Sequence, residues 1–345
     1  MVFVIRSDAS AEIGSGHIMR CLALGQALQD GGQSVVFLTQ TRNRLLVDRL
    51  IREGFDVEML ETGIPVAEDG AQTATRALKR NAAWVITDGY RFDTSFQRIL
   101  KQSGVRLMCI DDIAECHYVS DIVLNQNVNA EKVFRYSCES YTTLLLGTRY
   151  ALLRREFLKA RTWTRLIAPE CSRILVTMGG SDAGNASGKV LEALNLLHDV
   201  RLHVKVLLGP AYPKETELRA DASGSPHTIE VYQAQENLVP IMQWADLAIT
   251  AAGSTVWELA ALGTPMMVGI LADNQEPVAL NLQQEGAGEN TGWYARVEPK
   301  RISENILALI RTPEKRGTLS ANARNLIDGS SMKRVCMALY GDAIL

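Results

Sequence analysis

Val2-Phe-Val-Ile-Arg-Ser-Asp8-Ala-Ser-Ala-Glu-Ile-Gly14-Ser-Gly16-His17 is the stretch whose reading decides the fold. Its apolar head, Val2 to Ile5, reads as a buried strand. Ile18, Leu22, Gly25 and Leu28 follow at the spacing of one helix face. The stretch is therefore a strand-to-helix connection. Gly14 and Gly16 let the backbone bend sharply and let a ligand come close to it. His17 falls at or near the first helical turn, where amide N–H groups lack partners and the dipole favours negative charge. A titratable imidazole beside such an anion site is a place for chemistry. The competing reading is a capping loop whose histidine packs or bonds a carbonyl.

The same alternation runs outward along the chain. Strand-like Val35 to Leu38, Val57 to Leu60, Trp84 to Thr87, Arg106 to Ile110 and Ile122 to Leu124 are separated by breaks and helical patterns such as Arg44 to Glu53. Short apolar runs alternating with helices imply a parallel sheet covered on both faces. Asp8, Asp88, Tyr90, Asp111, Asp112 and Asn125 recur just after strands. In open parallel sheets ligands bind beyond the carboxyl ends of the strands, although each residue singly reads as a turn or cap. Arg161 to Cys171, with Ala168-Pro-Glu, breaks the rhythm as a linker. The alternation then restarts at Arg173 to Met178 and runs through strands near 203–208, 229–231, 247–250 and 266–268, and three helical stretches close the chain. The expected domains are 1–160 and 161–345, two α/β halves facing a central cleft.

Composition supports this and excludes other classes. A chain of 345 residues suits two domains, and 47% apolar residues give each a core. The net charge of −3 and the lack of a long basic run argue against a nucleic-acid face, as does the 6% of aromatics. No apolar stretch approaches membrane-spanning length, and no cleavable signal precedes the first strand. Six scattered cysteines without C-x-x-C spacing read as free thiols. Cytosolic free thiols are expected in place of disulfides or a zinc site, and the expectation is a cytoplasmic chain, a monomer, with no cofactor.

Two glycine-rich turns lie in the second half. Gly179-Gly180-Ser181 and Gly253-Ser254-Thr255 each follow a strand and precede a helix, offering amides and hydroxyls to a diphosphate. Neither is a P-loop: Val190 follows Gly188-Lys189, and Ala183 stands where the first glycine belongs. Neither spells G-x-G-x-x-G. Glu258 lies one turn after Ser254, positioned to accept ribose hydroxyls. Asn274 and Gln275 follow the next strand and could bond a sugar or the nucleotide.

At this point the residues carry a resemblance. Thr250 to Pro265 with Asp273-Asn-Gln275 resembles the nucleotide-sugar half of GT-B enzymes of the MurG type. Arg6-Ser-Asp8, Ile13-Gly-Ser-Gly-His17 and Arg20 resemble the first loop of the PseG family of UDP-sugar hydrolases in pseudaminic acid biosynthesis. The match continues through Asp88-Gly-Tyr90, Asp111-Asp112, Cys116, Asp121 to Asn125 and Tyr150 to Phe157, and covers most of the chain to about Gly292. The family often shows His where Gly89 stands. The resemblance implies a GT-B fold with two Rossmann-like domains, no metal, and hydrolysis of UDP-2,4-diacetamido-2,4,6-trideoxy-β-L-altropyranose to the free sugar and UDP. It implies that His17 activates water, that Tyr90 and Asn274 lie near the substrate, and that the second domain grips UDP.

UDP is a good leaving group, so the tasks are to orient a water and to stabilise the departing diphosphate. His17 is the expected base, Asp8 or Asp112 the carboxylate that holds its tautomer, and Tyr90 the third catalytic group. Gly14, Gly16, Arg20, Asp112, Asn274 and Gln275 are expected at the substrate, and Gly179, Gly180, Ser181, Gly253, Ser254, Thr255 and Glu258 at the nucleotide. Two rivals share the donor motifs: a GT-B glycosyltransferase in which His17 deprotonates an acceptor, and a non-catalytic nucleotide-sugar-binding protein.

Overall fold

The computed structural model describes residues 1–10, 14–180, 182–210, 212–233 and 235–341. The chain divides into two compact units. The first includes Met1–Ser10, His17–Arg155 and the C-terminal segment from Ser330; the second includes Glu156–Gly329. The last helix thus belongs to the first unit.

The first unit strings together β1 (Val2–Ser7), α1 (Gly16–Asp30), β2 (Ser34–Thr39), α2 (Arg44–Arg52), β3 (Asp56–Met59), α3 (Val66–Lys79), β4 (Ala82–Asp88), α4 (Thr94–Gln102) and β5 (Arg106–Ile110). The short β6 (His117–Tyr118), β7 (Ile122–Asn125), α5 (Ala130–Val133), β8 (Ser137–Cys138) and β9 (Thr143–Leu146) follow, and α6 (Arg155–Ala160) carries the chain across into the second unit. Seven strands form one sheet in the order β3-β2-β1-β4-β5-β7-β9, and every pairing in it is parallel. The apolar runs are continuous because both faces are covered. Val4, Val85, Leu107 and Phe96 share one buried cluster. Each such side chain contributes about 1.5–3 kcal/mol by leaving water. Gly25 sits where a Cβ would come within 2.9 Å of the Phe55 ring, so only glycine lets α1 lie this close.

Strand order reverses direction on either side of β1: β2 and β3 lie to one side, β4 and β5 to the other. Loops after β1 and β4 therefore diverge and leave a crevice at their carboxyl ends. Register fixes what reaches that edge. Ser7 pairs with Asp88, and Asp88 with Ile110, so the loops of β1, β4 and β5 start level.

The second unit repeats the plan. It contains β10 (Arg173–Thr177), α7 (Ala186–Asn195), β11 (His203–Leu207), α8 (Glu215–Ser223), β12 (Thr228–Tyr232), α9 (Val239–Trp244), β13 (Leu247–Ala251), α10 (Thr255–Ala261), β14 (Met266–Ile270), α11 (Glu276–Gln284), β15 (Glu289–Trp293), α12 (Pro299–Arg311) and α13 (Pro313–Leu326). Its six parallel strands run β12-β11-β10-β13-β14-β15, so the switch point falls between β10 and β13. Both glycine-rich turns leave these two strands. Ile174, Val206, Ile249 and Ile306 sit in its core. The last helix, α14 (Ser331–Tyr340), belongs to the first unit, where the indole N–H of Trp84 donates to the Leu339 carbonyl at 2.8 Å.

Candidate functional site

His17 is the second residue of α1 and is 4% exposed. Its Nδ1 lies 2.6 Å from Asp88 Oδ1. Asp88 ends β4 and is fully buried. The carboxylate can only accept, so an Nδ1–H tautomer satisfies this contact and leaves Nε2 as the outward ring nitrogen, while Arg20 Nη2 also lies 3.1 Å from Nδ1. Tyr90 meets the imidazole edge-on, with ring centroids 4.8 Å apart.

Asp88 is the hub. Arg20, one turn along α1, donates to it twice, from Nε to Oδ2 at 2.6 Å and from Nη2 to Oδ1 at 2.7 Å. Its Nη1 donates to Asp112 Oδ2 at 2.9 Å. The spacing of His17 and Arg20 puts both on one helix face. Burial alone would push the Asp88 carboxyl up, but the charges and hydrogen bonds of Arg20 and His17 outweigh it and hold the carboxyl below its ordinary range. The second oxygen of Asp112, Oδ1, is buried without a hydrogen-bond partner among the described residues. Burial, then the Asp112 charge, pushes the Tyr90 phenol well up, so it stays protonated as a donor.

The carboxylate against His17 is thus neither of the two expected. Asp112 is held one step away through Arg20. Asp8 faces elsewhere: its Oδ1 accepts from Arg6 Nη1 at 2.6 Å and from the Gln40 amide at 2.6 Å. Arg6 is itself fully buried and grips Asp69 with two bonds of 2.8 and 2.7 Å. Asp8 therefore anchors the outgoing end of β1 and does not touch the imidazole. Sequence reasoning missed Asp88 as the partner, although its place at a strand end next to β1 was a usable signal. Asp69 gave no signal at all. Gly14 has φ +71°, as a sharp bend requires, and Gly16 opens α1. Gly89, at φ +153°, is in a conformation that side chains rarely adopt, and a Cβ there would meet Phe92 at 3.0 Å. This accounts for glycine at that position.

In the second unit the two turns differ. Gly179 has φ +85°, and Gly180 follows it; Ser181 lies outside the described residues. The start of α7 is already occupied. Asp182 accepts from the amides of Ala186 (2.7 Å) and Ser187 (2.9 Å), and Asn185 accepts from Gly188 (3.2 Å). These donors are closed to an outside anion, which corrects the expectation that this helix start is open. At the other turn Gly253 leads into Ser254, the N-cap of α10, and Ser254 caps no amide with its side chain. Thr255 begins the helix, and Glu258 lies half-buried one turn on. Gln275 is brought to this turn: its Nε2 lies 3.9 Å from where a Gly253 Cβ would stand, while its Oε1 accepts from the Leu271 amide at 3.0 Å. Asn274 precedes it in a single 3-10 turn, half-buried. Among the described residues, no group of three or more His, Cys, Asp or Glu side chains is placed to hold a metal ion. No described helix is long and apolar enough to cross a membrane.

Comparison with known proteins fits this geometry. Residues 173–335 match the Glycosyltransferase family 28 C-terminal domain. The crystal structure of MurG from Acinetobacter baumannii superposes with a TM-score of 0.68 at 18% identity, covering 97% of this chain and 98% of that one. The fold is GT-B. Among curated sequences, Uncharacterized protein MJ1062 of Methanocaldococcus jannaschii is 28% identical over 276 residues, which is 78% of this chain and 55% of that protein. The chain thus spans about half the length of that archaeal relative. A Campylobacter jejuni protein named UDP-2,4-diacetamido-2,4,6-trideoxy-beta-L-altropyranose hydrolase is 25% identical over 296 residues, 83% of this chain and 97% of that one. In these GT-B terms, the first unit holds the His17 constellation and the second all but the last few residues of the region matching the family 28 domain.

Proposed function

We propose that the protein is a metal-independent nucleotide-sugar hydrolase that splits UDP-2,4-diacetamido-2,4,6-trideoxy-β-L-altropyranose into the free sugar and UDP. The observation that carries this reading is the His17–Asp88 pair at 2.6 Å, which turns Nε2 away from the carboxylate at the switch point of the first sheet. The name of the Campylobacter jejuni relative supplies the substrate.

In the reaction, His17 Nε2 takes a proton from a water as the water oxygen bonds the anomeric carbon. The bond from that carbon to the diphosphate oxygen breaks, and its electron pair leaves with UDP. Attack opposite the leaving group inverts the anomeric centre. The Asp88 carboxylate fixes the Nδ1–H tautomer and stabilises the imidazolium that forms, as general base catalysis requires. Tyr90, edge-on to the imidazole, and Asp112, held by Arg20, are the groups that border the sugar in this reading. Gly179, Gly180, Gly253, Ser254 and Thr255 take the diphosphate, and Glu258, Asn274 and Gln275 the rest of the nucleotide sugar. The second reading, transfer to an acceptor hydroxyl, draws on the glycosyltransferase match over residues 173–335.

Incubation with the UDP-sugar in ¹⁸O-water, without any acceptor, tests the proposal. UDP should appear, label should enter the sugar and not the phosphate, and the first anomer seen by proton NMR should be inverted. His17→Asn should bind UDP as before and turn over at least about 100-fold more slowly. UDP release only on addition of an acceptor would establish transfer in place of hydrolysis. Full turnover by His17→Asn would remove the base.

A further inference from the structure

The large sheets end in open strands, β3 and β9 in the first unit and β12 and β15 in the second. An open edge offers N–H and C=O groups to any passing strand, and proteins blunt such edges with charge. Three of these edges are blunted. On β3, Asp56 and Glu58 pair with Arg80, and Glu58 also with Arg76. On β12, Glu230 is exposed and Arg219 Nη1 donates to the Val231 carbonyl at 3.1 Å. On β15, Glu289 pairs with Lys315 at 2.8 Å. The fourth, β9, reads Thr143-Leu-Leu-Leu146 and carries no charged residue.

Alternation along β9 decides which of its backbone groups are open. In a parallel strand the N–H and C=O of one residue point to the same side, and the next residue points to the other. The Thr143 amide donates to the Asp121 carbonyl and the Gly147 amide to the Asn125 carbonyl, both at 2.9 Å, so residues 143, 145 and 147 face β7. Leu144 and Leu146 therefore face outward, and no described residue bonds their backbone groups there. Leu144 is 37% exposed, and Tyr141, just ahead of the strand, 55%.

We propose that β9 is the seam of a homodimer, in which it pairs antiparallel with the same strand of a second copy across a two-fold axis. The open groups set the register. Leu144 stands opposite Leu146 of the partner subunit, the two exchange both backbone bonds, and the symmetry doubles these to four. Leu145 then meets its own copy on the axis, in a pair of the closer, non-hydrogen-bonded kind. A second copy is the occupant because this uncharged stretch meets itself without repulsion, whereas the same operation on β3 would set Glu58 against Glu58. So short a seam buries little area, which makes the dimer a weak one that forms at high protein concentration. The monomer expected from the sequence is the alternative that the experiment sets against it.

Sedimentation velocity on the full chain, from low to high micromolar protein, tests the seam, together with hydrogen exchange over residues 141–149 read by mass spectrometry. The wild type should pass from monomer to dimer as concentration rises, and exchange over 141–149 should slow in step. Leu144→Pro removes an N–H that faces away from β7, so the native ladder stays whole. It deletes two of the four bonds across the seam and should weaken the dimer at least about tenfold. Leu144→Lys keeps the backbone, sets like charges close to the axis, and should weaken it as well; it carries the test if the proline variant does not fold. A chain that stays monomeric throughout, exchange over 141–149 that ignores concentration, or a dimer unchanged by a folded Leu144 variant would each overturn the proposal. Growth past the dimer would overturn the closed two-fold pairing.

Discussion

Asp88→Asn is the perturbation that tests the site most sharply. The native carboxylate takes two bonds from Arg20, at 2.6 and 2.7 Å, and one from His17, at 2.6 Å, with no exposure to solvent. An asparagine there keeps one acceptor oxygen and turns an NH₂ toward groups that themselves donate. Two effects follow. Arg20 loses its main counter-ion in a buried position and keeps Asp112 at 2.9 Å, so removing one partner costs about 3–5 kcal/mol. At about 2–4 °C per kcal/mol for a unit of this size, the thermal transition of the first unit should fall by roughly 6–20 °C. In the reaction, the imidazolium loses a charge-assisted hydrogen bond of about 1.5–3 kcal/mol, or about 10–150-fold in kcat.

The pH dependence has a definite sign. The Asp88 carboxyl is depressed in the folded state, so its contribution is fully present above the ordinary carboxyl range, about 3.9. That contribution is lost as pH falls through the lower folded value. The variant should therefore be less stable than wild type at neutral pH, with the gap closing on acidification below about pH 4. Calorimetric scans from pH 7 to pH 3, beside steady-state UDP release at 20 °C, measure both effects. Turnover within twofold of wild type in a folded Asp88→Asn protein would refute the assignment of His17 as a base held by Asp88. A stability gap that does not narrow in acid would refute the electrostatic account.

Three further outcomes are expected. Arg6→Leu removes the shared cation of Asp69 and Asp8 and should cost about 3–5 kcal/mol in chemical denaturation, more than an exposed arginine such as Arg301 would. In Gly269→Ala the new Cβ would stand 2.0 Å from the buried Tyr294 ring, and the second unit should lose about 1–3 kcal/mol or more by overpacking. Burial pushes the Cys109 thiol up to about 12, so iodoacetamide at pH 8 should modify Cys116 and Cys138, which are half-buried, well before Cys109.

Much of the architecture was legible because parallel strands buried on both faces leave near-continuous apolar runs. Val2 to Ile5, Trp84 to Thr87 and Leu247 to Thr250 each became a central strand. Strand ends were legible too, since a polar residue directly after such a run marks the sheet edge where ligands gather. Pairing across that edge was not. The Asp88 carboxylate reaches His17 across 71 residues of chain, and Asp69 reaches Arg6 across 63. Only the register of β1 beside β4 and the packing of α3 create those contacts. The start of α7 misled for a different reason. Asp182 and Asn185 are cap-type residues that take the helix's own leading amides, so the helix start after Gly179-Gly180 is closed by its own side chains while the glycines lie ahead of it.

The return of α14 has a consequence for how this polypeptide is made. A ribosome releases β1 through β9 long before it reaches Ser331–Tyr340, so the nascent front half emerges with the Trp84 indole still lacking its Leu339 acceptor. Its completion must wait for the tail to be translated. A fragment cut after residue 160 would lack the helix it needs, whereas a circular permutant that splices α14 ahead of β1 would deliver that helix first.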